Sequence, residues 1–93
     1  MVVIILEKVP KRLRGELTRW LLELKAGVFV GDVSAMVRDR LWEKACRERG
    51  EGGAILVHNT DNEQGFALRM HGDTGRLVED FEGLSLVRLP PQG

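Results

Sequence analysis

The stretch Val9–Ala35, VPKRLRGELTRWLLELKAGVFVGDVSA, decides the fold. It opens on a basic cluster, continues through apolar residues at helical spacing and closes on a short β-favouring run bracketed by glycines. Leu13, Leu17, Trp20, Leu21 and Leu24 recur every three or four residues, which predicts an amphipathic helix with one buried face. Pro10 suits the first turn of that helix, where its missing N–H would be unpaired anyway. The helix is predicted to run to Leu24 or Lys25, with Gly27 as its left-handed terminator. Val28-Phe29-Val30 then reads as a strand ended by Gly31-Asp32. Lys11, Arg12 and Arg14 crowd the first turns of the helix. A helix N-terminus is the positive end of the dipole and favours acidic side chains. Cations stacked there need an anionic compensator, and a phosphate backbone is one.

On the N-terminal side, Val2-Val3-Ile4-Ile5-Leu6 is continuously apolar, as a central strand covered on both faces would be. On the C-terminal side, Asp32 or Ser34 caps a second helix from about Ala35 to Arg49, with Val33, Val37, Leu41 and Ala45 as its buried stripe. Gly50, Gly52 and Gly53 end it. Ala54–His58 and Phe66–Met70 read as strands of a hairpin around the polar turn Thr60–Gly65. Gly72–Glu82 reads as an irregular polar loop carrying Arg76. Leu84–Leu89 reads as a last strand, stopped by Pro90-Pro91. Two helices on one face of a mostly antiparallel sheet make an α+β sandwich. The ferredoxin-like arrangement is its commonest form, here with an extra C-terminal strand. The hairpin usual between the two helices is reduced in this reading to one visible strand.

The chain has 93 residues, which predicts a single domain over 1–93. So short a chain buries a modest core, and association, most often as a twofold dimer, would extend it. Net charge is zero, but residues 1–49 hold 11 Lys/Arg against 7 Asp/Glu while residues 50–93 hold 3 against 7. A basic half in a neutral chain suggests a one-sided partner surface, although solvated helix faces give similar counts. Cys46 is the sole cysteine, so no internal disulfide forms and a reducing compartment is expected. No apolar run reaches the roughly 18 residues of a membrane span, and no signal-peptide pattern is visible, which predicts a cytoplasmic protein.

The sequence has no glycine-rich phosphate loop and no metal-spaced Cys/His set. Cys46 lies mid-helix without an evident general base and reads as a packed thiol. His58 and His71, with Asp61 and Asp73, could converge on a metal across the hairpin; ordinary surface polarity explains them as well. Glu7 is the first polar side chain after the buried strand. Two copies brought together on a twofold axis could hold one Mg²⁺, and the alternative is a strand-end carboxylate paired with Lys8 or Arg12. Lys8, Lys11, Arg12 and Arg14 put four cations in seven residues, with Arg19, Lys25, Arg38 and Arg40 able to extend the set. Such a cluster fits phosphate contact or a solvated helix face. No array of stacking aromatics accompanies it, so backbone contact to a duplex is the better form of a nucleic-acid reading.

Four runs carry a resemblance: Glu7–Gly15 (EKVPKRLRG), Trp20–Glu23 (WLLE), Ala26–Ala35 (AGVFVGDVSA) and Trp42-Glu43. Gly65-Phe66 and Gly83–Val87 fit more loosely. Together they resemble the second CRISPR-associated protein in its type I-E form, the small subunit of the spacer-acquisition complex. The resemblance implies a ferredoxin-like homodimer clamped between two integrase dimers, acting as spacer and ruler while a short double-stranded DNA is inserted into the repeat array. By position it implies DNA contacts from Arg12 and Arg14, then Arg38 and Arg76, beside Lys11 of the same cluster. It also implies integrase docking through the segment 84–93, with Leu84, Leu86, Val87 and Leu89 on the docking strand. No cofactor is required for that scaffold. Other members of the wider family are Mg²⁺-dependent nucleases that use an aspartate at the end of the first strand. This sequence has Glu7 there, whose longer side chain moves the carboxylate, and metal geometry is strict. Two activities are therefore expected to compete: a non-catalytic DNA-binding scaffold, or a Mg²⁺-dependent endonuclease acting on RNA or double-stranded DNA through Glu7 of both protomers.

Overall fold

The computed structural model describes residues 1–72 in full and, by backbone pairing alone, the strands at 77–81 and 84–88. Arg76 and Leu89 lie outside the described residues. Strand β1 (Val2–Leu6) is the axis of a five-stranded antiparallel sheet. It pairs with β3 (Val28–Gly31) on one side and β4 (Ala54–Asn59) on the other, Ile4 standing opposite both Phe29 and Leu56. With β2 (Leu22–Lys25) and β5 (Phe66–His71) at the edges, the order is β2-β3-β1-β4-β5. Helices α1 (Lys11–Leu17) and α2 (Ala35–Glu48) complete a ferredoxin-like α+β domain with an additional strand. Strands β6 (Leu77–Phe81) and β7 (Leu84–Arg88) pair with each other as a separate two-stranded sheet.

Alternation along the strands builds the core. Val2, Ile4, Leu6, Phe29, Ala54 and Leu56 point to the helix side and are buried. Leu13 and Leu17 of α1 and Leu41 and Ala45 of α2 close over them, with Val33, Val37 and Trp42 packed at the margin. Phe29 is fully buried beneath both helices' layer, so truncating it to alanine should cost about 3–5 kcal/mol. The Ser34 hydroxyl, 3.2 Å from the Val37 amide, accepts its hydrogen bond and fixes the start of α2.

Three expectations are corrected. The first helix stops at Leu17, not near Leu24. The Thr18 amide and hydroxyl both bond to the Arg14 carbonyl, and the hydroxyl also reaches the Gly15 carbonyl. A tight turn then carries buried Leu21 into β2. The hairpin between the helices is therefore complete, β2 pairing with β3. Trp20 and Leu24 are more than half exposed and do not belong to the buried stripe. Second, Gly27 is left-handed (φ 83°) as expected, but it turns this hairpin; a side chain there would meet the Leu6 carbonyl. Third, Leu77–Phe81 is a strand within the segment expected to be an irregular loop.

The opposite face of the sheet is also apolar. Val3 and Ile5, Val28 and Val30, and Ile55 and Val57 stand in two cross-strand rows, continued by Leu68 and Met70. Leu22 extends one row at the edge. The central six are half-buried, whereas their neighbours on the helix side are sealed.

Candidate nucleic-acid interface

Pro10 brings the chain off β1 and opens α1, whose first turn holds no acidic residue. Lys11 and Arg12 are exposed there and make no hydrogen bond or ion pair among the described residues. Because α1 has only seven residues, its dipole is small and the cations are less costly than a helix to Leu24 would make them. Arg14 faces elsewhere. Its Nε donates to Glu23 Oε2 at 3.0 Å, and the same oxygen accepts from the Gly27 amide at 3.1 Å. The amide first, and then Arg14, hold the Glu23 carboxyl below its ordinary pKa. Arg14 thus ties α1 to the β2–β3 hairpin, with its side chain still 43 % exposed.

Arg38 is more deeply engaged. Its Nη1 lies 3.1 Å from Nδ1 of buried His58, and its Nε donates to Asp39 at 3.0 Å. The same Nδ1 lies 2.9 Å from the Asn59 carbonyl, so it stands between a guanidinium that can only donate and a carbonyl that can only accept. Asp39 also accepts from Arg69 at 3.1 Å. Arg38, chiefly, and Arg69 draw the Asp39 carboxyl below its ordinary pKa. With 16 % of its side chain exposed, Arg38 is a support of the α2–β4 contact before it is a surface cation. Lys8 pairs loosely with Glu51, and Lys44 with Glu16. Arg19 and Arg40 have no ion-pair partner among the described residues and flank a groove of about 430 Å³ between the helices, with Trp20 on its rim.

The exposed cations of the predicted set with no ion pair among the described residues are therefore Lys11 and Arg12 on the first turn, and Arg19, Lys25 and Arg40 beyond it, with Arg14 partly available. The partners Glu23 and His58 were not visible to sequence reasoning. A helix running through residue 23 would keep Glu23 away from Arg14, and His58 lies twenty positions from Arg38.

Glu7 is exposed just beyond β1 and has no ion pair among the described residues, neither Lys8 nor Arg12 engaging it. Its carboxylate lies over Gly52, in space that a Cβ on that residue would fill. Among the described residues no group of three His, Cys, Asp or Glu side chains could hold a metal. One carboxylate per chain does not by itself fit a resident Mg²⁺. His58 and His71 stand at opposite ends of the β4–β5 ladder, so they do not converge. Burial raises the Cys46 pKa, in keeping with a packed thiol.

Sheet order, helix placement and exposed first-turn cations define a ferredoxin-like α+β domain with an extended sheet. Over residues 1–86 the chain matches the family model described as CRISPR-associated protein (Cas_Cas2CT1978), and it belongs to that family. The match runs from β1 into β7. No helix among the described residues is long and apolar enough to cross a membrane.

Proposed function

We propose that this protein is the duplex-binding scaffold of a CRISPR adaptation complex, of the type I-E form. Membership of the family supports a role in CRISPR adaptation. The observation that carries the scaffold reading is the pairing of two features on one small domain. One is a first helical turn bearing unpaired Lys11 and Arg12; the other is an apolar sheet face left half-buried. The face is suited to a second copy, because two sheets of this width pack well face to face. A twofold dimer presents the cation turn twice, as a track along a duplex needs. Phosphate contacts carry no base information, which suits a complex that accepts any sequence. In this reading residues 84–93 add as a strand to the integrase, and two integrase dimers flank the central dimer.

The test is co-purification with a co-expressed type I-E CRISPR integrase, followed by duplex binding of the assembled complex. Loss of the small subunit through all steps would sink the scaffold reading. A second reading, Mg²⁺-dependent cleavage of RNA or double-stranded DNA, draws on the exposure of Glu7 at the end of the central strand. Cleavage by the wild type in Mg²⁺ that disappears in Glu7→Ala would favour it over the scaffold.

A further inference from the structure

Arg49 closes α2 and turns back over the glycine loop that follows. Its amide bonds to the Ala45 carbonyl, which places it at the last turn of the helix. Its Nη1 donates to two carbonyls, Gly50 at 3.1 Å and Gly52 at 3.0 Å. Few side chains can hold two carbonyls two residues apart with one planar group; guanidinium is suited to it. The guanidinium also forms a wall for a different element. Gly72 follows directly on the last rung of the β4–β5 ladder, Ala54 opposite His71. Its φ is 77°, and a Cβ placed on it would lie 2.7 Å from the Gly52 carbonyl oxygen and 3.1 Å from Arg49 Nη2. Backbone therefore packs on backbone here, with the Arg49 plane at its side. Gly52 in turn carries the Glu7 side chain on its other side. One arginine thus fastens the α2–β4 loop beside the point where the chain leaves the sheet.

Only residues 73–76 separate Gly72 from β6, and β6 leads into β7. From this juxtaposition we infer that Arg49 is a positioning residue for the C-terminal hairpin: by clamping Gly52 against Gly72 it sets the direction in which β6–β7 is presented to a partner. The inference rests on the docking role of that hairpin for its functional meaning, but not for its geometry. The same contacts would also serve a lesser role, tying down the glycine loop alone, and the two differ in what happens to the hairpin when the clamp is opened.

The experiment measures residual dipolar couplings of the isotope-labelled full chain in a dilute aligned medium. The wild type, Arg49→Met and Gly72→Ala are compared, the last forcing a side chain into the clamp while Arg49 is kept. In the wild type one alignment tensor should fit residues 1–48 and both strands of the hairpin. In each variant residues 1–48 should keep wild-type couplings, while those of β6–β7 fall by about twofold or require a tensor of their own. A single tensor that still fits hairpin and body in both variants would overturn the inference. A second arm measures affinity for the integrase, expected to fall about tenfold in both variants. Removal of 84–93 serves as its reference. If that removal leaves the affinity unchanged, the docking reading fails, and the couplings still decide whether Arg49 orients the hairpin.

Discussion

Arg12 and Arg14 stand two residues apart yet meet different surroundings, because on a helix they diverge by about 200°. Arg12 is exposed and bonds to none of the described residues, while Arg14 is fastened to Glu23. Replacing Arg12 by alanine should weaken duplex binding equally for two unrelated sequences. It should also reduce the slope of log affinity against log salt by roughly one for each phosphate no longer neutralised. A salt titration of the assembled complex reads this, and an unchanged slope would make the turn a solvated surface. Arg14→Ala should do more to the fold, since it strips a partner from Glu23. The acid side of that pairing has a definite sign. Glu23 is held below its ordinary pKa by the Gly27 amide and then by Arg14, Glu16 by Lys44, and Asp39 by Arg38. The unfolded chain therefore binds more protons as pH falls, and the stability these carboxylates contribute at neutral pH is lost through their folded values. Thermal midpoints followed from about pH 6 to about pH 3 should decline, and the decline should be shallower in Glu23→Gln. Such pairings are tertiary. The sequence shows an arginine and a glutamate nine positions apart, and only the β2 strand brings them together.

At the scale of elements, β1, α2 and the β4–β5 hairpin were legible because each carries one period and one pair of stops. The LTRWLLELK stretch carried two. Leu17, Trp20, Leu21 and Leu24 satisfy a helical repeat, while Leu22 and Leu24 satisfy an alternating one. The tie was broken by β3, whose outer edge needed a partner, and Thr18 ended the helix by capturing the Arg14 carbonyl. Trp20→Ala should accordingly be mild, within about 1 kcal/mol, while Leu13→Ala should cost about 2–5 kcal/mol, as denaturant titrations would show. β6 was missed because Glu79 and Asp80 interrupt its apolar residues; its pairing with β7 supplies what the pattern lacks. Removal of residues 84–93 should abolish integrase binding while light scattering still returns the mass of two chains.

At the scale of the whole molecule, the sheet has a sealed face and a half-buried one. Val3 lies at the centre of the latter, opposite Val30 on one side and Val57 on the other. A charge there should be excluded from any sheet-on-sheet contact, so Val3→Lys should convert a dimer to single chains in light scattering, with the fold retained by circular dichroism. The continuous run Val2–Leu6 pointed to a strand covered on both faces; the helices cover one, while Val3 and Ile5 on the other are only half-buried. If the second face is completed by another copy, the folded state is tied to its own abundance. Binding that occurs only in the native form raises stability by mass action, so the melting temperature should climb with each tenfold rise in protein concentration. A cell making few copies would then hold them as loosely folded singles, open to proteolysis, and a cell making many would hold them as durable pairs.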